Sequence, residues 1–213
     1  MQSSFFNKGS TMSTLIAGIP GWFIPVLILM VSILALTIIL ERSWTLLKRF
    51  ELLNLEEERK LIEYLRNKDY ENAASFCRTQ VHPAYKVVLA MIDSKDTDID
   101  LQAISDEETL RQVNMMEKYL PTLGTISTVS PLLGLLGTVT GMIKSFRAFE
   151  DTGSRSMQLM GGIDEALITT ALGLIVAIPA LIMYNYFVRR VNTLSEESNV
   201  MVRMAQEELR KNK

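Results

Sequence analysis

Long apolar runs alternate with charged stretches along this chain. Three runs carry no charged residue, at 22–40, 119–143 and 166–188. Each matches or exceeds the roughly 17–20 residues that a helix needs to cross a bilayer. The first run is also too long for the apolar core of a signal peptide, so we interpret it as a permanent span. The pattern predicts an all-α integral membrane protein with three transmembrane helices.

The charged stretches have a helical pattern of their own. Between residues 41 and 118, apolar positions such as Leu61 and Leu65 recur at helical spacing among charged residues, which we assign to a solvated face. One helix is predicted to run from about Ile99 through Met116 into the second span without a break. The tail after residue 188 keeps near-helical spacing of its apolar residues. We therefore predict a small helical domain, partly built from long helical extensions of the spanning helices.

Lysine and arginine residues set the predicted orientation. Twelve of the 22 lie between residues 41 and 118 and six after residue 188, whereas one precedes the first span and three lie between 144 and 161. Because cytoplasmic loops hold an excess of these residues, the amino terminus is predicted outside and the carboxyl terminus inside. The predicted segments are a periplasmic amino-terminal segment at 1–20, the first transmembrane helix at 21–41, a cytoplasmic helical domain at 42–118, the second transmembrane helix at 119–144, a periplasmic loop at 145–161, the third transmembrane helix at 162–188 and a cytoplasmic carboxyl-terminal helix at 189–213.

The cysteine and histidine counts exclude two kinds of site. Cys77 is the single cysteine and His82 the single histidine, so neither an intramolecular disulfide nor a cysteine zinc site can form. We expect Cys77 to be a small buried thiol, and His82, beside Pro83, to belong to a structural turn. We expect no metal site, no cofactor and no nucleic-acid partner.

The second span is rich in glycine and hydroxyl residues. One helix face is formed by residues that recur at steps of four and three, namely Ser127, Pro131, Gly134, Thr138, Gly141 and Ser145. Gly137 and Gly141 form a G-x-x-x-G pair, which lets helix backbones approach closely in a membrane. We predict helix packing at Gly134, Gly137 and Gly141, and a kink at Pro131. Packing explains the glycines but does not require so many hydroxyl groups.

The third span begins with an acidic residue. Glu165, preceded by Asp164, lies at the mouth of the 23 uncharged residues 166–188. A carboxylate in or beside an apolar span is costly to desolvate, and by default it marks an ion or proton path. Small and polar residues share the face that carries Glu165, whereas leucine and isoleucine fill the opposite arc, as expected for a helix that lines a lumen. The predicted roles are proton-path lining for Glu165, Thr169 and Thr170, helix packing for Gly173 and Ala177, and a kink at Pro179.

Two threonines lie at similar predicted depths. Thr138 precedes Lys144 by six residues and Thr170 follows Glu165 by five, so both hydroxyls fall roughly 7–9 Å below the outer ends of their helices. Hydroxyl groups at one depth, just below the acidic residue at the helix end, could hydrate a protonatable group. We therefore predict that Thr138 is a further pore-lining residue. Alternatively, each threonine bonds a carbonyl of its own helix, four residues earlier.

Two long motifs lie on these polar spans. They are SPLLGLLGTVTGM at 130–142 and GIDEALITTALGL at 162–174, and residues 69–74 and 82–83 add shorter matches in the preceding loop. In these motifs the chain resembles the ExbB/TolQ/MotA family of proton-channel subunits, and specifically its ExbB/TolQ branch. The resemblance runs from the first span to near the end of the tail.

The resemblance implies a subunit of a bacterial inner-membrane motor that uses the proton motive force, with protons as the coupling ion. Family members form a homo-oligomeric ring, a pentamer, around a single-span partner similar to ExbD or TolR, whose aspartate takes up and releases the proton. A TonB-like or TolA-like protein is compatible as a further partner. Thr138 and Thr170 match the family's pore hydroxyls, and Glu165 matches its pore carboxylate.

We expect the chain to lack the long periplasmic amino-terminal extension of some ExbB proteins. Both ExbB-type import and TolQ-type envelope maintenance therefore stay open, as does sodium in place of protons.

Two other classes of function compete with a channel subunit. An intramembrane enzyme would need a second intramembrane acid, a Ser-His pair or a metal motif. Asp164 and Glu165 point about 100° apart on a helix, which is poor geometry for a catalytic pair, so we expect the protein not to be an enzyme. A passive membrane scaffold that assembles and stabilises a partner without conducting ions would need only the small-residue faces.

Overall fold

The computed structural model describes residues 20–49, 53–95, 100–152 and 156–211. Within these ranges the chain is helical and contains no strand, which confirms the predicted all-α fold. Apart from Pro20, the predicted amino-terminal segment 1–20 lies outside the described residues. The helices are α1 (Phe23–Ser43), followed by a π-helical segment (Trp44–Arg49), α2 (Leu55–Arg66), α3 (Tyr70–Thr79), α4 (Pro83–Asp93), α5 (Leu101–Glu117), α6 (Leu120–Thr152) and α7 (Ser156–Lys211).

Three helical stretches are long and apolar enough to cross a membrane. They are Phe23–Leu46, Leu101–Phe146 and Ile163–Lys211. Because a lipid-exposed backbone must satisfy its polar groups internally, such stretches are stable in the bilayer as helices. The protein is therefore a multi-pass membrane protein with three candidate spans.

The chain divides into two compact units. Among the described residues, the membrane unit consists of residues 20–39 and those within Thr122–Tyr184, and the globular unit consists of those within Leu40–Pro121 and residues 185–211. Within the membrane unit, α1 buries Ile24, Ile28 and Ala35 and leaves much of its remaining aliphatic surface exposed. An exposed aliphatic face of this kind suits contact with lipid.

The globular unit has a hydrophobic core of its own. Side chains from α2 to α5 and from the last part of α7 form it, and its members include Leu61, Leu65, Ala73, Cys77, Tyr85, Val88, Met91, Met201, Ala205 and Leu209. Cys77 is a buried free thiol, as expected, and burial raises its pKa to about 12. The tail of the chain is therefore an integral part of this unit and not an appendage.

The predicted unbroken helix from Ile99 into the second span is wrong. The helix ends at Glu117, Tyr119 adopts a left-handed φ of 66°, and α6 starts at Leu120. Pro121 explains the break, because a proline inside a continuous helix removes one hydrogen bond and clashes with the carbonyl four residues earlier. In the first turn of a new helix the missing N–H costs nothing.

Arg42 stabilises the end of α5. Its guanidinium donates to the carbonyl oxygens of Met115 and Met116 at 3.3 and 3.4 Å and lies 5.3 Å from the centre of the Tyr119 ring. A cation at the last carbonyls of a helix satisfies unpaired acceptors and complements the helix dipole.

Helix also occupies much of the predicted loop at 145–161. The apolar run stops at Lys144, but α6 continues to Thr152 and α7 already begins at Ser156. Charged residues end the apolar run without ending the helix, since backbone hydrogen bonds and not hydropathy set helix bounds.

His82 holds the start of α4. Its Nδ1 accepts the Ala84 N–H at 3.2 Å, and its Nε2 lies 3.5 Å from Oε2 of Glu197. The imidazole is 4% exposed, and this burial is the main cause that lowers the pKa of His82, against the opposing charge of Glu197. Within the described residues, no group of three His, Cys, Asp or Glu side chains is placed to hold a metal ion.

Candidate functional site

Helices α6 and α7 meet along a close seam of small residues. A Cβ added to Gly173 would lie 2.6 Å from the Ser130 carbonyl oxygen, and one added to Gly134 would lie 2.9 Å from Cα of Thr170. These separations are shorter than real Cβ contacts, so both positions need glycine for the backbones to approach. Gly137 likewise faces the side chain of Thr169. Close backbone approach at small residues is the usual packing mode of membrane helices.

One hydrogen bond joins the two helices across this seam. Thr170 Oγ1 donates to the Gly134 carbonyl oxygen at 3.1 Å. In an α-helix that carbonyl is also the ordinary acceptor for the backbone N–H four residues on, at Thr138. The Thr170 side chain thus shares an acceptor with the backbone of the other helix.

The other two candidate threonines bond within their own helices. Thr138 Oγ1 donates to the Leu135 carbonyl and Thr169 Oγ1 to the Glu165 carbonyl, each at 2.7 Å. Thr138 therefore bonds a carbonyl of its own helix, as in the alternative interpretation, although the carbonyl lies three residues earlier and not four. Thr170 does not bond its own helix but the neighbouring one. Because Thr138 and Thr170 use the carbonyls of neighbouring residues, their hydroxyls differ in depth by only about 1.5 Å along α6.

The small-residue face of α7 is a packing face within the protomer. Its residues are buried in the membrane unit, namely Ala166, Thr169, Gly173, Ala177 and Ala180. The sequence assigned this face to a lumen as a whole, whereas in the structure α6 covers much of it. The physical reason is that small residues and hydroxyls serve close helix contact as well as they serve a pore.

Glu165 lies apart from that buried face. The residue is exposed, and a Cβ added to Gly21 would lie 3.1 Å from its Oε1. The carboxylate therefore lies against the backbone at the start of α1. The structure does not bring Glu165 to the Thr170 hydroxyl, which instead points to Gly134.

A small cavity lies beside Glu165, among residues of α1, α6 and α7. Its volume is about 80 Å³. We call it the Glu165 cavity; its described lining residues are Pro20, Gly21, Ile24, Pro25, Gly137, Thr140, Gly141, Lys144, Ser145, Glu165, Ala166 and Thr169.

Sequence reasoning did not single out Thr140 or Lys144 as site residues. The signal was present in part, since Thr140 follows Gly137 by three residues and Lys144 follows Thr140 by four, which puts them on one helix face. The contribution of α1 had no such signal, because nothing local links Gly21 to Glu165.

The two candidate kink residues lie inside continuous helices. Pro131 is within α6 and Pro179 within α7, and each helix extends on both sides of its proline. Pro131 lies next to Ser130, whose carbonyl oxygen faces Gly173.

Comparison with known proteins identifies relatives of one kind. Residues 72–199 match the profile of the MotA/TolQ/ExbB proton channel family. The Tol-Pal system protein TolQ of Haemophilus influenzae is 41% identical over 88 residues, which cover 41% of this chain and 39% of that protein. The biopolymer transport protein ExbB of Salmonella typhimurium is 43% identical over 72 residues, or 33% of this chain and 30% of that protein.

A longer alignment exists with a cyanobacterial protein. The putative biopolymer transport protein ExbB-like 1 of Synechocystis is 34% identical over 173 residues, which cover 76% of this chain and 65% of that protein. This chain therefore matches less than half the length of the TolQ and ExbB relatives, and about two thirds of the Synechocystis protein. The family match contains all of α6 and the greater part of α7.

Proposed function

Because the chain belongs to the MotA/TolQ/ExbB proton channel family, we propose that it is a proton-conducting subunit of a motor in the bacterial inner membrane. The motor converts the proton motive force into mechanical work on a partner, for TonB-dependent import or for envelope maintenance. The amino terminus lies in the periplasm and the carboxyl terminus in the cytoplasm. A proton that crosses 100 mV releases about 2.3 kcal/mol, which is enough to bias a two-state interface.

The observation that carries this proposal is the extent of the family match. It covers both polar helices, and with them Thr138, Glu165 and Thr170. All three residues belong to the membrane unit, and Glu165 is exposed there. Polar and ionisable groups at such positions are a costly feature that a purely structural span does not need.

The proton-carrying acid is proposed to belong to a partner. The second and third apolar runs, 119–143 and 166–188, contain no acidic residue, so this chain has no carboxylate at mid-membrane. We propose that five copies form a ring around the spanning helix of an ExbD-like or TolR-like protein with an aspartate in its span. Glu165, Thr138 and Thr170 then shape the path to that aspartate, without a cofactor.

Proton flux through the reconstituted complex tests the proposal. The chain is co-purified with its single-span partner, placed in liposomes under a potassium diffusion potential, and followed with a pH-sensitive dye. We expect flux above that of protein-free liposomes, lowered at least about tenfold by Glu165→Gln or Thr170→Ala. Thr128→Val serves as the control, because Thr128 is exposed and bonds only its own helix. Wild-type flux equal to that of protein-free liposomes would overturn the proposal.

A passive membrane scaffold is the second candidate function. The observation in its favour is that the small faces of α6 and α7 are used for packing within one protomer. A scaffold predicts that Glu165→Gln leaves both the assembly and the envelope process unchanged. Retained activity in that variant, without measurable flux, would select the scaffold over the channel.

A further inference from the structure

The Glu165 cavity has more than enough room for water. One buried water needs roughly 10–15 Å³ of space measured with a water-sized probe, together with two to four polar partners. The cavity offers about 80 Å³. Its described lining residues include one glutamate, one lysine and three residues with hydroxyl groups. Size and polarity together allow a small cluster of water molecules.

Three lining residues carry hydroxyl groups, and each hydroxyl donates to a backbone carbonyl of its own helix. Thr140 donates its proton to the carbonyls of Leu136 and Gly137, at 3.0 Å each. Ser145 donates to the Gly141 carbonyl at 2.9 Å, and Thr169 donates to the Glu165 carbonyl. Each oxygen keeps lone pairs that can accept. The cavity is therefore suited to a species that donates hydrogen bonds.

The charged groups restrict the ligand further. Among the lining residues, Glu165 carries two acceptor oxygens and Lys144 carries a donor group. An anion would face lone pairs from the carboxylate and from all three hydroxyls. Water satisfies both kinds of group, because each molecule donates two hydrogen bonds and accepts two.

We propose that the Glu165 cavity is a water-binding site inside each protomer, and that its water delivers protons to the Glu165 carboxylate. In this step a hydronium ion loses one proton and becomes water, while the carboxylate gains it and becomes a neutral carboxylic acid. Gly21 leaves room for the carboxylate beside the cavity, since a Cβ added there would lie 3.1 Å from Oε1. The water site deepens the proposed proton-channel function, on which its relay role rests.

Radiolytic footprinting of the purified full chain tests the water site without any assumption about function. X-ray pulses convert bound water to hydroxyl radicals, which label adjacent buried side chains. Ile24 lines the cavity and is 4% exposed, whereas Ile28, one turn further along α1, is 3% exposed and is not in the described wall. We expect clear labelling of Ile24 above Ile28. Equal labelling of the two would mean a dry cavity and would overturn the proposal.

A matched pair of variants tests the relay. Thr140 and Thr128 have the same bonding pattern, with the hydroxyl shared between the carbonyls three and four residues earlier, but only Thr140 is in the cavity wall. In the liposome assay we expect Thr140→Val to lower proton flux about threefold to tenfold and Thr128→Val to leave it unchanged.

Each other outcome of the paired assay is decisive. Equal effects of the two variants, or no effect of either, would overturn the relay. If Glu165→Gln still abolishes flux in that case, the channel function stands and this inference alone fails. Absent flux in the wild type would refute the channel itself, while footprinting of Ile24 would still decide whether the cavity holds water.

Discussion

At the scale of single residues, two adjacent threonines have different roles. Thr169 is buried and bonds its own helix, whereas Thr170 reaches the Gly134 carbonyl of the neighbouring helix. The two side chains point about 100° apart on α7, and only that of Thr170 forms a hydrogen bond with α6. Both residues carry hydroxyl groups at nearly the same depth along α7, and the helix-face pattern of the sequence predicted one shared role for them.

His82 gives the clearest residue-level prediction, a pH dependence. Burial lowers its pKa below the ordinary 6.5, so the unfolded chain binds the proton more readily than the folded one. The contribution of neutral His82 to the stability of the folded state is therefore complete above pH 6.5. It is lost as the pH falls below 6.5 towards the pKa of His82 in the folded state. Protonation also turns Nδ1 into a donor, which ends its hydrogen bond from Ala84. The groups that face the ring are Tyr85 of α4, and Glu197 and Arg190 of α7.

A substitution distinguishes the effect of His82 protonation from the effect of its hydrogen bond at the start of α4. His82→Asn keeps a preferred capping residue that does not titrate in this range, so it should flatten the loss of thermal stability on acidification. His82→Ala should cost about 1 kcal/mol at neutral pH, since it removes the cap, and less on acidification, because the protonated imidazole no longer accepts the Ala84 N–H. Thermal unfolding of the full chain between mildly acidic and neutral pH measures both. The same pH slope in wild type and His82→Asn would show that His82 is not the titrating group.

At the scale of elements, α7 serves both units of the protein. Its first part packs small residues against α6, and its last part contributes Met201, Ala205 and Leu209 to the core of the globular unit. The difference follows from the side chains: glycine, alanine and threonine allow close backbone contact in a membrane, whereas larger apolar side chains fill an aqueous domain core. The two parts of this one continuous helix therefore pack in different ways.

Two methionines one turn apart test the role of the α7 tail. Met201 is fully buried, whereas Met204 is 39% exposed. Met201→Ala should destabilise the globular unit by about 2–5 kcal/mol through loss of buried contacts and a cavity. Met204→Ala should change stability by less than about 0.5 kcal/mol. Hydrogen exchange of the α2–α4 amides reports the difference, and equal exchange in the two variants would exclude the tail from the core.

At the scale of the whole molecule, one chain by itself would leave the proposed proton path incomplete. Its Glu165 carboxylate is exposed, and its second and third apolar runs carry no acid. Most homo-oligomers close with cyclic or dihedral symmetry, and a ring would place one copy of Glu165 per protomer around a shared axis. The proposed partner helix would then supply the missing carboxylate along that axis.

Native mass spectrometry of the complex tests this assembly. We expect five copies of a 24.1 kDa chain together with the single-span partner. Glu165→Gln should keep the same mass, because Glu165 is proposed to act on protons and not on assembly. A monomer or dimer with bound partner would contradict the ring, and loss of the ring in Glu165→Gln would assign Glu165 a structural role.

The sequence by itself determined the three candidate spans and the all-helical fold. These properties are local: a bilayer admits an exposed backbone only as helix or closed barrel, and charge-free length is read directly along the chain. The helix break at Tyr119 also has a local cause, Pro121, but the continuous apolar pattern led us to predict an unbroken helix. Cys77 was expected to be a buried thiol because it is the single cysteine, and the structure buries it.

Only the tertiary structure decided which polar groups meet. The bond from Thr170 to Gly134, the approach of Gly21 to Glu165 and the placement of Thr140 in the cavity wall each join segments far apart in sequence. Helical periodicity fixes the face on which a side chain lies, but it does not fix the surface that this face contacts. That choice depends on how α1, α6 and α7 pack together, and the same small hydroxyl residues serve both a lumen and a helix seam.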